Sequence, residues 1–253
     1  SRNFRLQRVG DGAWLEHNYD FSRVGFSIDE LVILDVSREA RDAEAFASAI
    51  ERITRACFAP VAAGGGIRHP DDARRLLRSG ADKVVLNTPV ADDPPLVAEL
   101  ARTYGAQCVV ASVDVAGAEG EPRVLVDRGT RDAGPLDAHL RRIAQMPVGE
   151  VLLTSVERDG TGQGLDMGLM DRVPESMHCP VILSGGVGYS AHIGEGLAHP
   201  RVDAVATANL LNFVGDGLTR ARAEMLTCGT DLAHFDADEA RRLAGVAGNE
   251  GRP

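Results

Sequence analysis

The chain repeats itself at a spacing of 120 residues. The run Phe58-Ala59-Pro60-Val61-Ala62-Ala63-Gly64-Gly65-Gly66 is echoed by Cys179-Pro180-Val181-Ile182-Leu183-Ser184-Gly185-Gly186, which puts Gly185 120 residues after Gly65. Glu30-Leu31-Val32-Ile33-Leu34 returns as Glu150-Val151-Leu152-Leu153-Thr154 at the same spacing. Asp82-Lys83-Val84-Val85-Leu86 returns as Asp203-Ala204-Val205-Ala206-Thr207, one residue out of step. A period this long is half a domain and not one turn of a solenoid. Two similar halves, each ending a strand in a glycine cluster, imply one enclosed site with a phosphate grip on either side.

The elements between the echoes fit that symmetry. Apolar runs at 31–36, 61–63, 83–87, 108–115, 150–156, 181–184 and 204–209 are continuous, as in parallel strands buried on both faces. The stretches between them carry helix signals. Pro70-Asp71-Asp72 opens one helix and Gly80 closes it, while Asp42 to Arg55 sets Ala45, Phe46, Ala49, Ile50 and Ile53 on one stripe. Repeated βα units without a break in composition predict one α/β domain over 1–253, a (βα)8 TIM barrel with a twofold half-barrel repeat. The barrel proper is expected to extend to about 227, with a helix (Asp236–Ala247) and tail in 228–253. Seven runs are visible where eight are needed. Stepping back 120 residues from the run at 108–115 places the missing first strand upstream of Ser1, so the chain is expected to lack it; the rival is an irregular strand within Arg2–Val9.

Bulk properties narrow the function. A formal charge of −10 argues against a nucleic-acid surface, which needs clustered Lys and Arg. It leaves room for a small anionic substrate, since a few backbone amides suffice for a phosphate. Cys57, Cys108, Cys179 and Cys228 are far apart and form no CxxC pair, so they are read as buried thiols in a reducing compartment. No apolar run approaches the roughly 18 residues that span a bilayer. The cytosol is the expected location, and no metal or organic cofactor is called for.

Catalytic groups of such barrels sit at the C-terminal strand ends. The polar residues there are Asp35, Gly64–Gly66, Asn87 and Thr88, Asp114, Asp159-Gly160-Thr161, Ser184–Gly186 and Thr207–Asn209. The glycines allow backbone N–H groups to approach a phosphate, although tight βα turns use glycine too. Asp114 ends the most apolar run, where lost solvation raises a carboxylate's pKa toward neutrality and suits it to proton transfer; a helix cap is the plainer alternative. Glu30, Lys83 and Glu150 stand instead at strand starts, on the opposite face. There they form either an ion-pair plug or a gate for something passing along the barrel axis.

At these residues the chain resembles the cyclase subunit of imidazole glycerol phosphate synthase, the barrel half of a glutamine amidotransferase pair. The likeness runs from about Arg2 to Phe213, through Ile28-Asp29-Glu30-Leu31-Val32, Gly64-Gly65-Gly66-Ile67, Gly80-Ala81-Asp82-Lys83-Val84, Asn87-Thr88, Gly105-Ala106-Gln107, Val113-Asp114, Arg158-Asp159-Gly160-Thr161 and Ser184-Gly185-Gly186. The resemblance implies a glutaminase partner docking on the N-terminal face beside Asp82 and Gln107. It implies ammonia passing a gate of Glu30, Lys83 and Glu150, whose fourth member is an arginine of the first strand. The substrate it implies carries a phosphate at each end: one held by Gly65, Gly66, Asn87 and Thr88, the other by Gly160, Thr161, Gly185, Gly186 and Asn209. Asp114 matches one of two catalytic aspartates, with Asp35, Asp159 and Ser184 nearby. The implied reaction turns the phosphoribulosyl formimino aminoimidazole carboxamide ribotide into imidazole glycerol phosphate and aminoimidazole carboxamide ribotide.

The chain departs from the family pattern in places. Val36-Ser37-Arg38-Glu39 replaces a Thr-Ala-Ser run, Asn209 a phosphate-binding serine, and Arg128 a small hydroxyl residue; Asp132-Ala133 replaces Asn-Thr. Cys57-Phe58-Ala59-Pro60 is similar to a paralogous branch that supplies ammonia for amidination of a nucleotide-linked surface sugar. A non-catalytic barrel that only activates a glutaminase is a further alternative.

Overall fold

Each predicted run of apolar residues becomes a strand of one parallel sheet. The computed structural model describes residues 18–19, 21–37, 40–117, 120–208, 210 and 217–233. A short helix α1 (Phe21–Val24) leads into β1 (Leu31–Leu34), α2 (Ala43–Ala56), β2 (Val61–Gly64), α3 (Pro70–Arg78) and β3 (Lys83–Leu86). Then come α4 (Thr88–Asp92), α5 (Pro94–Tyr104), β4 (Val109–Ala116), β5 (Arg123–Val126), β6 (Arg131–Pro135) and α6 (Leu136–Ile143). The chain continues through β7 (Glu150–Ser155), β8 (Val181–Ser184), α7 (Ser190–Leu197), β9 (Ala204–Ala206) and α8 (Gly217–Thr227).

Seven of these strands pair side by side in the order β1-β2-β3-β4-β7-β8-β9, all parallel. A curled parallel sheet alternating with helices is the architecture of a (βα)8 barrel. The predicted first strand, Asn209 and the helix at 236–247 fall outside the described residues. Antiparallel β5 and β6 form a hairpin that continues from β4 over the C-terminal end, a feature the apolar pattern does not announce.

Helix boundaries follow local chemistry. Asp42 caps α2, accepting from Ala45 N at 2.9 Å, and α3 opens with Pro70 behind a reciprocal His69–Asp72 cap. Ala47 and Ile50 are the buried residues of α2, with Phe46 packed in beside them. Of the four cysteines three are buried, but Cys228 is exposed, correcting the expectation of four buried thiols. It follows the last turn of α8, at Thr227.

The sequence repeat is also a repeat of hydrogen bonds. Asp82 Oδ2 accepts from Val61 N at 2.8 Å, and Asp203 Oδ2 accepts from Val181 N at 2.8 Å. Leu31 N donates to Pro60 O and Val151 N to Pro180 O, each at 2.9 Å. The same polar side chain thus ties the same strand starts in both halves.

The sheet separates two apolar regions. On its outer face Val84, Leu86, Val109, Val113, Val151, Leu153 and Leu183 pack against the helices in the main core. On its inner face Ala62, Val85, Val110 and Leu152 form a second cluster, joined by Val32, Ile182 and Ala206. That cluster is one layer of barrel interior, with a polar layer above it and another below.

Candidate functional site

Strand alternation decides what the two polar layers contain. On β7, Glu150, Leu152 and Thr154 face inward while Val151, Leu153 and Ser155 face the helices. Register then sets Asp114 beside Thr154 and Thr154 beside Ser184. Glu150 lies four residues below Thr154 on the same strand, so the layers are about 13 Å apart at the usual rise per residue. A cavity of about 1100 Å³ runs between them, reaching Glu30 and Glu150 at one end and Asp114, Asn87 and Ser184 at the other.

Asp114 lies inside β4 and caps no helix. Burial pushes its carboxyl up to about 7, and the negative charge of Asp159 adds to the rise. Asn87 Nδ2 stands 3.2 Å from Asp114 Oδ2, 3.2 Å from Ser112 O and 3.4 Å from Leu125 O. A carboxyl with this pKa exchanges its proton readily near neutral pH.

The two glycine turns are twins in geometry. Gly65 (φ 107°) and Gly185 (φ 96°) both lie in the left-handed region. A Cβ on Gly65 would fall 2.3 Å from Asp35 O, and one on Gly185 would fall 2.5 Å from Ser155 O. The first requirement for glycine here is therefore the neighbouring strand's backbone. Gly66 and Gly186 differ: a Cβ on Gly66 would meet the Arg41 side chain, and one on Gly186 would meet Gly164 O at 2.0 Å.

The other predicted residues spread around the same mouth. Asp35, Thr88, Asp159 and Ser184 line the cavity. The Thr88 hydroxyl accepts from Asp127 N at 3.1 Å, and that of Thr161 donates to Arg158 O at 2.7 Å within the Arg158–Thr161 turn beside Gly160. Thr207 Oγ1 is buried without a partner among the described residues. Sequence reasoning did not single out Arg41, Arg68 and Asp127, which also line this end. The signal in the sequence is Asp127-Arg128-Gly129 between two short runs, a turn pattern for a hairpin.

At the opposite end Lys83 bridges Glu30 and Glu150, with 2.6 Å from Nζ to Glu150 Oε1. All three side chains are about one-fifth exposed, at 19%, 23% and 20%. Burial raises the Glu30 carboxyl's pKa more than its bond to Lys83 lowers it. For Lys83 burial pulls down, but bonds to Glu150 and Glu30 prevail and hold the ammonium above its ordinary value. One oxygen of each carboxylate, Glu30 Oε1 and Glu150 Oε2, is buried without a partner among the described residues. Lys83 is also the chain's single lysine. Asp82 and Gln107 are exposed at this end; the Asp82 carboxylate is engaged with Val61 N. Among the described residues no helix is long and apolar enough to cross a membrane.

Comparison with known proteins agrees with this arrangement. Residues 15–215 match the family model described as histidine biosynthesis protein. A protein of Parasynechococcus marenigrum (strain WH8102), named provisionally as imidazole glycerol phosphate synthase subunit hisF2, is 44% identical over 225 residues, covering 88% of this chain and 84% of that protein. The barrel with its paired glycine turns therefore belongs to the histidine biosynthesis protein family.

Proposed function

We propose that this chain is the ammonia-using synthase subunit of a glutamine amidotransferase pair, acting on a substrate with a phosphate at each end. The observation that carries the reading is one cavity with a neutral-range carboxyl at its upper end and the Glu30–Lys83–Glu150 set at its lower end. A glutaminase docks at the lower end, where Asp82 and Gln107 are exposed and Phe58, 65% exposed, stacks on Phe26. Ammonia passes the charged set and the apolar layer to reach the substrate's ketone.

In the histidine-pathway form of this reaction ammonia adds to the ribulosyl carbonyl and water leaves, forming an imine. Asp114 transfers protons as aminoimidazole carboxamide ribotide departs and the imidazole ring closes to imidazole glycerol phosphate. Gly65, Gly66, Asn87 and Thr88 serve one phosphate, and Gly160, Thr161, Gly185, Gly186 and Asn209 the other. The amide of Asn87 is already committed to Asp114, so the contribution of Asn87 and Thr88 to phosphate is assigned to their backbone.

A second reading is favoured by the exposed Arg128 at the mouth, a departure from the cyclase pattern: the paralogous role in amidinating a nucleotide-linked sugar. Turnover of the histidine-pathway ribulosyl nucleotide with saturating ammonium salt tests the first reading. Turnover that disappears in Asp114→Asn supports it, and none by a folded protein with its complete barrel sinks it in favour of the second.

A further inference from the structure

Three arginines stand at the cavity mouth above the β2 turn, among the carboxylates of Asp35, Asp127 and Asp159. Arg41, Arg68 and Arg128 line it, in a protein whose formal charge is −10. Arg68 is matched by Asp127 at 2.7 Å, and Arg131 also reaches Asp127, at 2.9 Å. Arg41 is paired with Asp35, and Arg128 reaches Ser37 O.

Arg41 lies directly over Gly66. A Cβ built on that glycine would fall 2.7 Å from Arg41 Cδ and 2.9 Å from Nη1, so the guanidinium stem fills the space a side chain would take. Asp35, with an 8% exposed side chain, fixes it there: Arg41 Nε stands 3.4 Å from Asp35 Oδ2 and Nη2 3.4 Å from Asp35 O. The other carboxylate oxygen accepts from Ser37 N at 2.9 Å, which locks Asp35 in turn.

Arg128 reaches the same loop from the other side, donating through Nη1 to Ser37 O at 3.4 Å. Its backbone is left-handed (φ 64°), as is that of Asp127 (φ 51°). Two consecutive non-glycine residues in that region persist only where contacts hold them. Here Thr88, Arg68 and Arg131 all hold Asp127. The strained turn carries Arg128 across the mouth toward Ser37. At the twin turn no such group is present among the described residues: Gly186 faces Gly164 O, and Arg158 is turned to Gln163 O at 3.4 Å.

The geometry points to a guanidinium clamp in which Arg41 and Arg128 grip a phosphate monoester seated on the Gly65–Gly66 amides, making this the tighter of two unequal phosphate ends. The inference rests on reading the β2 turn as a phosphate grip. Guanidinium forks match phosphate oxygens in pairs, which a backbone turn alone does not offer.

The test is a titration of the ¹⁵N-labelled full chain with inorganic phosphate, following the amide resonances of Gly65, Gly66, Gly185 and Gly186. The Gly65–Gly66 signals are expected to saturate at lower phosphate than the Gly185–Gly186 signals. Arg41→Gln and Arg128→Gln should each raise the Kd read at Gly65–Gly66 about tenfold, the scale of one charged hydrogen bond, and leave the Gly185–Gly186 Kd within about twofold. The second pair also reports that each variant is folded. An unchanged Kd at Gly65–Gly66 in both variants overturns the clamp while leaving the phosphate grip standing. No phosphate response at Gly65–Gly66 in the unaltered chain overturns both.

Discussion

Asn87 Nδ2 lies 3.2 Å from Asp114 Oδ2, linking the end of β3 to the middle of β4 across the sheet. The amide donates equally to Ser112 O and more distantly to Leu125 O, so its orientation is fixed by three acceptors. Asp114 is thus held in one place by a neutral donor in a setting that resists its charge. That combination lets a carboxyl be both positioned and protonated near neutral pH.

Asp114→Asn should therefore be more stable and less active. The folded carboxyl has a pKa of about 7 against an ordinary value of 3.8, so the unfolded chain ionises first and stability falls as pH rises from about 4 to 7. Removing the charge should add up to about 4 kcal/mol at pH 8 and nothing near pH 3, with turnover down roughly 10²- to 10⁴-fold. Urea denaturation at the two pH values checks the first part. Equal effects at both would mean burial is not what perturbs this group.

Asp159 contributes to the same shift through its charge. In Asp159→Asn the inflection near 7 in the pH–rate profile is expected to move toward acid, because one cause of the raised pKa is gone. A profile unmoved, or moved to alkali, would contradict the assignment of that inflection to Asp114.

Lys83→Arg is expected to spare the ammonium-supported rate and depress the glutamine-supported rate by roughly tenfold or more, the scale of one displaced charged contact. A guanidinium fork is planar and wider than an ammonium, and Lys83 bridges two carboxylates at once. Steady-state rates with each nitrogen source decide the matter; parallel losses would point to a purely structural role.

Gly65→Ala and Gly185→Ala should each cost about 3 kcal/mol, combining left-handed strain with a backbone clash. Gly134→Ala is the control, since φ there is 110° but no atom lies within 4 Å of the added Cβ. It should cost only about 1–2 kcal/mol. Equal losses for all three in denaturant titrations would show that the clash is relieved.

His139 is buried and its pKa is lowered to about 4, first by burial and then by the charge of Arg142. Between pH 6.5 and 4 the unfolded chain takes up a proton that the folded one refuses, so stability should fall by up to about 3 kcal/mol as pH drops through that window. His139→Gln should flatten the loss. A wild-type slope retained in the variant would assign the effect elsewhere.

The barrel was readable because parallel strands covered on both sides need continuous apolar runs, and Val84-Val85-Leu86 or Val109-Val110-Ala111 look like nothing else. Asp114 was readable for the same reason, as a charge at the end of such a run. The β5–β6 hairpin was not: Arg131-Asp132-Ala133-Gly134-Pro135 is polar and half-exposed, and pairs through backbone bonds that leave little trace in side-chain pattern. Arg41 was hidden too, because its role depends on the empty space over Gly66, and a missing side chain reveals its neighbour only in three dimensions. Nor could spacing alone disclose that Asn87 spends its amide on Asp114.

That the only lysine of the chain bridges Glu30 and Glu150 has a practical corollary. Apart from the chain's own α-amine, a reagent that methylates amines has a single target, partly exposed at the lower end of the cavity. Two ¹³C methyl groups placed there would give one resonance that senses both carboxylates and any docked protein at once. A composition with one lysine has thereby placed a spectroscopic address beside the two carboxylates at the lower end of the cavity.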